Sequence, residues 1–162
     1  MAMVDYFLKL DGIPGEANDK THKGEIEVES FSWGEHQTGT ASAGSGQGAG
    51  KVQMQDFHFV MRVNKASPKL MLYCANGQPI KTAILTCRKA GKDQQEYLKV
   101  TFTDSLVSSY QTGGAPGASV VPLDQISLNF TKVEMEYKEQ KADGTLGGSI
   151  KAFYDMKQQQ SG

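Results

Sequence analysis

"EIEVESFSW", residues 25–33, decides the fold. Its first half alternates strictly. Glu25, Glu27 and Glu29 fall on one side and Ile26 and Val28 on the other, the two-residue period of a half-buried strand. Then the phase slips. Phe31 and Trp33 are odd-numbered, while Ser30 and Ser32 take the polar side. A one-residue slip sends every following side chain to the opposite face, so a chain that keeps its apolar residues on one core must bulge or bend there. Strands of this kind occur where one sheet turns into another.

The same period runs through most of the chain. MVDYFLKL, residues 3–10, reads as a strand with Tyr6, Leu8 and Leu10 on one face, followed by a turn-rich loop over 12–24. VQMQDFHFVMRV, 52–63, places Phe57, Phe59, Met61 and Val63 together. Residues 79–90 and 95–103 form two strands around AGKDQ, and 105–112 continues with a change of phase. QISLNFTKVEMEYK, 125–138, reads as one long strand whose phase flips near Thr131, and 150–157 closes the chain. The sole helix signal is SPKLMLYCANG. Ser67 is placed to N-cap, Pro68 suits the first turn and Gly77 can terminate. Leu70 to Ala75 cover most of that short helix with apolar groups, so a second face needs a partner beyond the sheet. About eight strands, one helix and three phase slips predict a mainly β protein. The expected form is a compact antiparallel β-barrel of two sheets with one short α-helix, in a single domain over residues 1–162.

Between Gly34 and Lys51 lies a tract of Gly, Ala, Ser and Thr. Gly44-Ser45-Gly46-Gln47-Gly48-Ala49-Gly50-Lys51 resembles a phosphate-binding loop by letters. Aligned on Gly50-Lys51, however, the first glycine is Ser45 and the magnesium-binding hydroxyl is Val52. Such loops also need a following helix whose N–H groups meet the phosphate, and here a strand follows. The tract reads instead as a long pliant arm, small enough in its side chains to lie against many surfaces.

Other chemistry is sparse. The 162 residues carry a net charge of −1 and no basic cluster interleaved with aromatics, which excludes a nucleic-acid reader of the usual kind. His22, His36 and His58 lack metal-ligand spacing, and no G-x-S-x-G elbow occurs. Asp19 to His22 reads as a polar loop with local turn bonds, and the glutamates at 25, 27 and 29 as a solvated strand face. Cys74 and Cys87 read as buried, reduced thiols. The N-terminus has no basic region before an apolar run, which predicts a cytoplasmic origin and export without a cleaved leader. No enzyme, cofactor, metal, nucleic-acid partner or membrane insertion is expected.

DGIPGEANDKTHKGEIEVESFSWG, GAGKVQMQDFHF, KASPKLMLYCANG, LTCRKAG, QEYL, LVSSYQTGG and QKADGTLGG, in that order, resemble the Hcp family, the haemolysin-coregulated proteins of the bacterial type VI secretion system. The resemblance implies hexameric rings that stack into the inner tube of a contractile, phage-tail-like injector, with effector proteins carried in the lumen. It also implies a VgrG-type spike protein and the contractile sheath as partners. On this reading the polar residues Glu27, Glu29, Ser32, Ser109 and Gln111 are candidates for the lumen wall. Thr40, Ser42, Gly44, Gly46, Gly48 and Lys51 are candidates for ring stacking, and Leu72 and Tyr73 for the subunit interface. The alternative is a monomeric ligand-binding β-barrel.

Overall fold

The computed structural model describes residues 4–37, 52–89, 95–117 and 121–162. Among these residues, twelve strands and one helix follow in the order β1 (Val4–Leu10), β2 (Ile26–Glu27), β3 (Ser30–Ser32), β4 (Glu35–Gln37), β5 (Val52–Met54), β6 (Phe57–Arg62), α1 (Ser67–Asn76), β7 (Ile80–Lys89), β8 (Gln95–Gly113), β9 (Leu123–Asn129), β10 (Lys132–Gln140), β11 (Leu146–Asp155) and β12 (Gln160–Ser161). All pairings are antiparallel. The larger sheet runs β12-β11-β10-β8-β7-β1-β2, and a smaller one joins β3, β6, β9 and β8. β4 and β5 form a separate two-stranded ribbon.

Each phase slip in the sequence marks a passage between the sheets. β2 pairs with β1 through Phe7 and Leu8, then β3 pairs with β6 through Ser30 to Ser32. Between them the Val28 N–H donates to Tyr6 in one sheet and the Glu29 N–H to Val60 in the other. β8 is one 19-residue strand rather than two. Its first half pairs with β7 and β10, its second with β9, and at the junction Asp104 takes a left-handed φ of 52°. The long strand read over 125–138 is two, broken at Phe130–Thr131, with β9 in the small sheet and β10 in the large one. The mainly β, two-sheet antiparallel architecture with one short helix is therefore as the sequence predicts. The strand ladder does not run unbroken around a closed barrel, because it is interrupted between Glu27 and Ser30.

The sheets close on Leu8, Phe57, Phe59, Met61, Leu85, Phe102, Ile126 and Leu128, all essentially without exposure. Phe102 anchors an aromatic group, its ring 4.6 Å from both Phe57 and Phe130. Trp33 meets Phe102 edge-on at 6.0 Å. Such rings contribute large apolar burial as well as favourable edge and offset contacts.

Helix α1 starts differently from the sequence reading. Ala66 occupies the N-cap and makes no side-chain cap. Ser67 lies inside the helix because its hydroxyl donates to the fully buried Asp124 carboxylate at 2.6 Å. The end is as predicted, with Gly77 left-handed and its N–H on the Tyr73 carbonyl, a conformation glycine adopts without a Cβ penalty. Leu70 is buried against the core, while Met71 and Leu72 remain half-exposed. Cys87 is buried and Cys74 only half-buried, so the expectation of two buried thiols holds for Cys87 alone.

Candidate functional site

The outer face of the small sheet is built by simple alternation. In β6, Phe57, Phe59 and Met61 turn inward, leaving His58, Val60 and Arg62 outside. In β9, Asp124, Ile126 and Leu128 turn inward, leaving Leu123, Gln125, Ser127 and Asn129. Strand register then assembles two rows across the sheet. Ser32 lies opposite His58, His58 opposite Ser127, and Ser127 opposite Ser109. Beside it, Ser30, Val60, Gln125 and Gln111 form the second row. The His58 Nδ1 and Ser127 Oγ are 3.1 Å apart.

Hydroxyls and amides dominate this face, and its charges sit at the ends. At one end the Arg62 Nε donates to the Glu29 carboxylate at 2.9 Å. At the other, Asp56 accepts from the Ser108 hydroxyl at 2.6 Å and the Asn129 amide at 3.0 Å. A surface of this composition stays hydrated and offers only weak, exchangeable hydrogen bonds.

Of the five lumen candidates, Ser32, Ser109 and Gln111 share this face and all are exposed. Glu29 sits at its corner, bound to Arg62. Glu27 does not join them. It lies opposite Phe7 and belongs to the outer side of the large sheet, because β2 and β3 fall on either side of the sheet crossing. The two glutamates meet across a corner cavity of about 240 Å³ that also contacts Glu16, Arg62 and Val121. Leu72 is half-exposed, and Tyr73 is partly buried with its hydroxyl accepting from the Gln78 amide at 3.1 Å. The stacking candidates Thr40, Ser42, Gly44, Gly46, Gly48 and Lys51 lie outside the described residues. His58, Gln125 and Ser127 lie on the same face without having been singled out in the sequence, although the polar positions of FHFVMR and LDQISLN carry the signal.

A second polar cluster lies on the outer side of the large sheet. The Arg88 guanidinium is 3 % exposed. It donates to both Asp19 oxygens, at 2.9 and 2.8 Å, and to Asp5 at 3.1 Å, and it lies 4.8 Å from the Phe7 ring centre. The hydrogen bonds from Arg88 hold the Asp19 carboxyl well below the usual carboxylate range, with the Thr21 hydroxyl and N–H adding to the effect against burial. His22 stacks on Phe7 at 4.5 Å, with Nδ1 2.9 Å from Glu25 and Nε2 on Glu96. The 12–24 loop is thus not only locally bonded. Asp19 and His22 fasten it to strands about 70 residues away in sequence. This cluster is a structural clasp, since every carboxylate in it already faces a cation or an imidazole. Among the described residues no group of three His, Cys, Asp or Glu side chains could hold a metal ion, and no helix is long and apolar enough to cross a membrane.

Comparison with known proteins agrees with this architecture. The family model described as "Type VI secretion system effector, Hcp" matches residues 7–137. Protein hcp1 of Pseudomonas aeruginosa is 43 % identical over 157 residues, 96 % of each chain. Hcp1 from Salmonella typhimurium superposes with a TM-score of 0.82 at 37 % identity, over 99 % of each chain. A solved structure described as a type six secretion system protein gives 0.93 at 31 % identity, over 99 % of this chain and all of that one. A match spanning both sheets, together with a relative this similar along nearly its whole length, establishes that the chain belongs to the Hcp family of the type VI secretion system.

Proposed function

We propose that the chain is the structural subunit of the type VI inner tube, forming hexameric rings that stack and carry effector proteins, with the outer face of the small sheet turned to the lumen. The observation that carries this placement is the row Ser32, His58, Ser127 and Ser109, neighboured by Gln125 and Gln111. A tube wall must tolerate water when empty and release its cargo after delivery. Neutral hydroxyls and amides meet both demands better than an apolar or strongly charged wall would. The tube reading further assigns the 38–50 tract to contacts between rings and makes the spike protein and sheath the ends and jacket of the assembly. Export then needs no cleaved leader, and no catalytic step is assigned to the chain.

Native mass spectrometry tests the ring, and a species of six chains is the expected result. A preparation containing only single chains refutes the proposal. For the lumen face, Ser109→Arg with Gln111→Arg should leave the ring mass unchanged and lower the amount of cognate effector that co-purifies. An intact ring with an unchanged effector yield removes this face from the lumen.

A further inference from the structure

His22 is buried, and both of its ring nitrogens face carboxylates. Nδ1 lies 2.9 Å from the Glu25 carboxylate, and Nε2 is within hydrogen-bond distance of Glu96. A carboxylate only accepts, and a neutral imidazole has a single N–H. The two carboxylates therefore both find a donor only when both ring nitrogens carry protons. The ring lies flat on Phe7, 4.5 Å between centres and 7° from parallel, which fixes its plane between the two acids. The two partners are not equivalent. Glu25 is three residues on, and its N–H already donates to the His22 carbonyl, so that contact closes a turn and moves with the loop. Glu96 stands on β8, 74 residues away, so the Nε2 contact ties the loop to the large sheet. Glu25 is also the drier of the two, its side chain 15 % exposed against 38 % for Glu96. Stranding the more buried carboxylate without a donor costs more. An imidazole with one proton thus keeps it on Nδ1 and turns a lone pair towards Glu96.

The other charges around the ring come from every neighbouring element. Arg88 of β7 is the strand partner of Glu96 and lies against Phe7, held by Asp19 of the loop and Asp5 of β1. Glu27 of β2 is the strand partner of Phe7. Glu96 shares a shallow surface pocket with Lys99 of β8 and with Glu136 and Lys138 of β10. Lys20 and Lys23, on the loop itself, are exposed. Of these side-chain types, only imidazole ordinarily changes charge between about pH 5 and 8. The loop therefore has two fasteners of different character. The Asp19–Arg88 pair keeps both charges through the neutral range, since each partner's hydrogen bonds hold the other in its ionised form. The His22–Glu96 contact needs a proton on Nε2.

We propose that His22 is a proton-operated latch on the 12–24 loop: with both ring nitrogens protonated it ties the loop to Glu96 on β8, and loss of the Nε2 proton frees that end while Arg88 keeps hold of Asp19. The tether is present on the acid side of the imidazole titration and is lost as pH rises through it. It is independent of the ring and lumen reading above, since every contact in it lies within one chain. The loop carries its own reporters. The Gly15 N–H donates to Gly24, Ala17 to Glu25 and Gly24 to Ala17, so these amides exchange with solvent when the loop opens.

The test is hydrogen exchange read by mass spectrometry on the full chain at pH 6.0 and pH 8.5, with rates corrected for the intrinsic pH dependence of amide exchange and a β9 peptide as the internal reference. Protection of the peptide spanning 15–25 should fall by about tenfold between the two pH values, the loss of one charged hydrogen bond. Glu96→Gln separates a latch from a fixed strut. An amide at that position accepts from Nε2–H through its oxygen and donates to a bare Nε2 through its nitrogen, so the contact survives in both protonation states and the profile should become flat. His22→Gln, which cannot titrate, should be flat as well. Protection in the unmodified protein that changes less than twofold overturns the latch. So does a Glu96→Gln chain that keeps the tenfold fall. If His22→Gln loses its far-UV circular dichroism spectrum, the unmodified protein and Glu96→Gln decide the matter between them.

Discussion

Replacing Asp19 with alanine removes the principal partner of a buried cation. Arg88 keeps one contact, to Asp5 at 3.1 Å, but that carboxylate is more than a third exposed and its hold is weakened by water. Taking one member from a buried pair costs about 3–5 kcal/mol, because the remaining charge is left uncompensated. With Asp5 still present the low end applies, about 3 kcal/mol. For a chain of this size that corresponds to a fall in Tm of about 6–12 °C. Thermal unfolding followed by circular dichroism at pH 7, at one protein concentration, reads it directly. The loss should shrink in an Arg88→Met background, where no buried charge is stranded. Its pH dependence has a fixed sign. Asp19 has a depressed folded-state pKa, so its contribution is fully present above the ordinary aspartate value near 3.8 and is lost as pH falls through the lower folded value. The difference between wild type and Asp19→Ala should therefore be constant above about pH 5 and narrow steadily below pH 4. A loss below about 1 kcal/mol at pH 7, or one that does not depend on Arg88, would refute the clasp as a source of stability.

Two further outcomes follow from the packing. A Cβ on Gly15 would sit 2.5 Å from the Glu25 carbonyl oxygen and 2.8 Å from the Ile26 Cα, both backbone atoms that cannot swing aside, so Gly15→Ala should lower stability by about 1–3 kcal/mol, seen as a reduced urea midpoint. Burial pushes the Cys87 thiol up to about 11, so a disulfide-exchange reagent at pH 8 should titrate one thiol, Cys74, in the folded protein and two in denaturant; two fast thiols in the native state would contradict the described burial.

The sheet crossings were legible in the sequence because a core on one side forces the two-residue alternation to slip wherever a strand changes layers. Val28 to Phe31, Asp104 and Phe130–Thr131 all announce themselves this way. What alternation cannot reveal is how many strands a slip separates. A bulge inside β8 leaves one strand, whereas the turn at Thr131 makes two, and neither site carries a proline or glycine. That Ser32, Ser109 and Gln111 share one exposed face was legible for the same reason, since they are polar positions on strands of clear phase. Glu27 lies in the other sheet because the slip falls between it and Ser32. Register, which joins His58 to Ser127 across 69 residues, is a property of the assembled sheet. The same holds for Arg88, which looks like an ordinary strand residue until the loop carrying Asp19 closes over it. Ser67 shows a local rule overridden, its capping hydroxyl taken up by Asp124.

β8 also has a mechanical meaning. One uninterrupted strand serves as the spar of both layers, bonded along its first half to β7 and β10 and along its second to β9. Tension along its axis loads those ladders in shear, many hydrogen bonds at once, instead of peeling them one by one. Neither layer can be stripped away without dragging on the other, so sub-global opening, which needs a unit that can detach by itself, has no natural seam between the sheets. A subunit under load would yield as a whole or not at all, and amide protons along both halves of β8 should exchange at one common, slow rate.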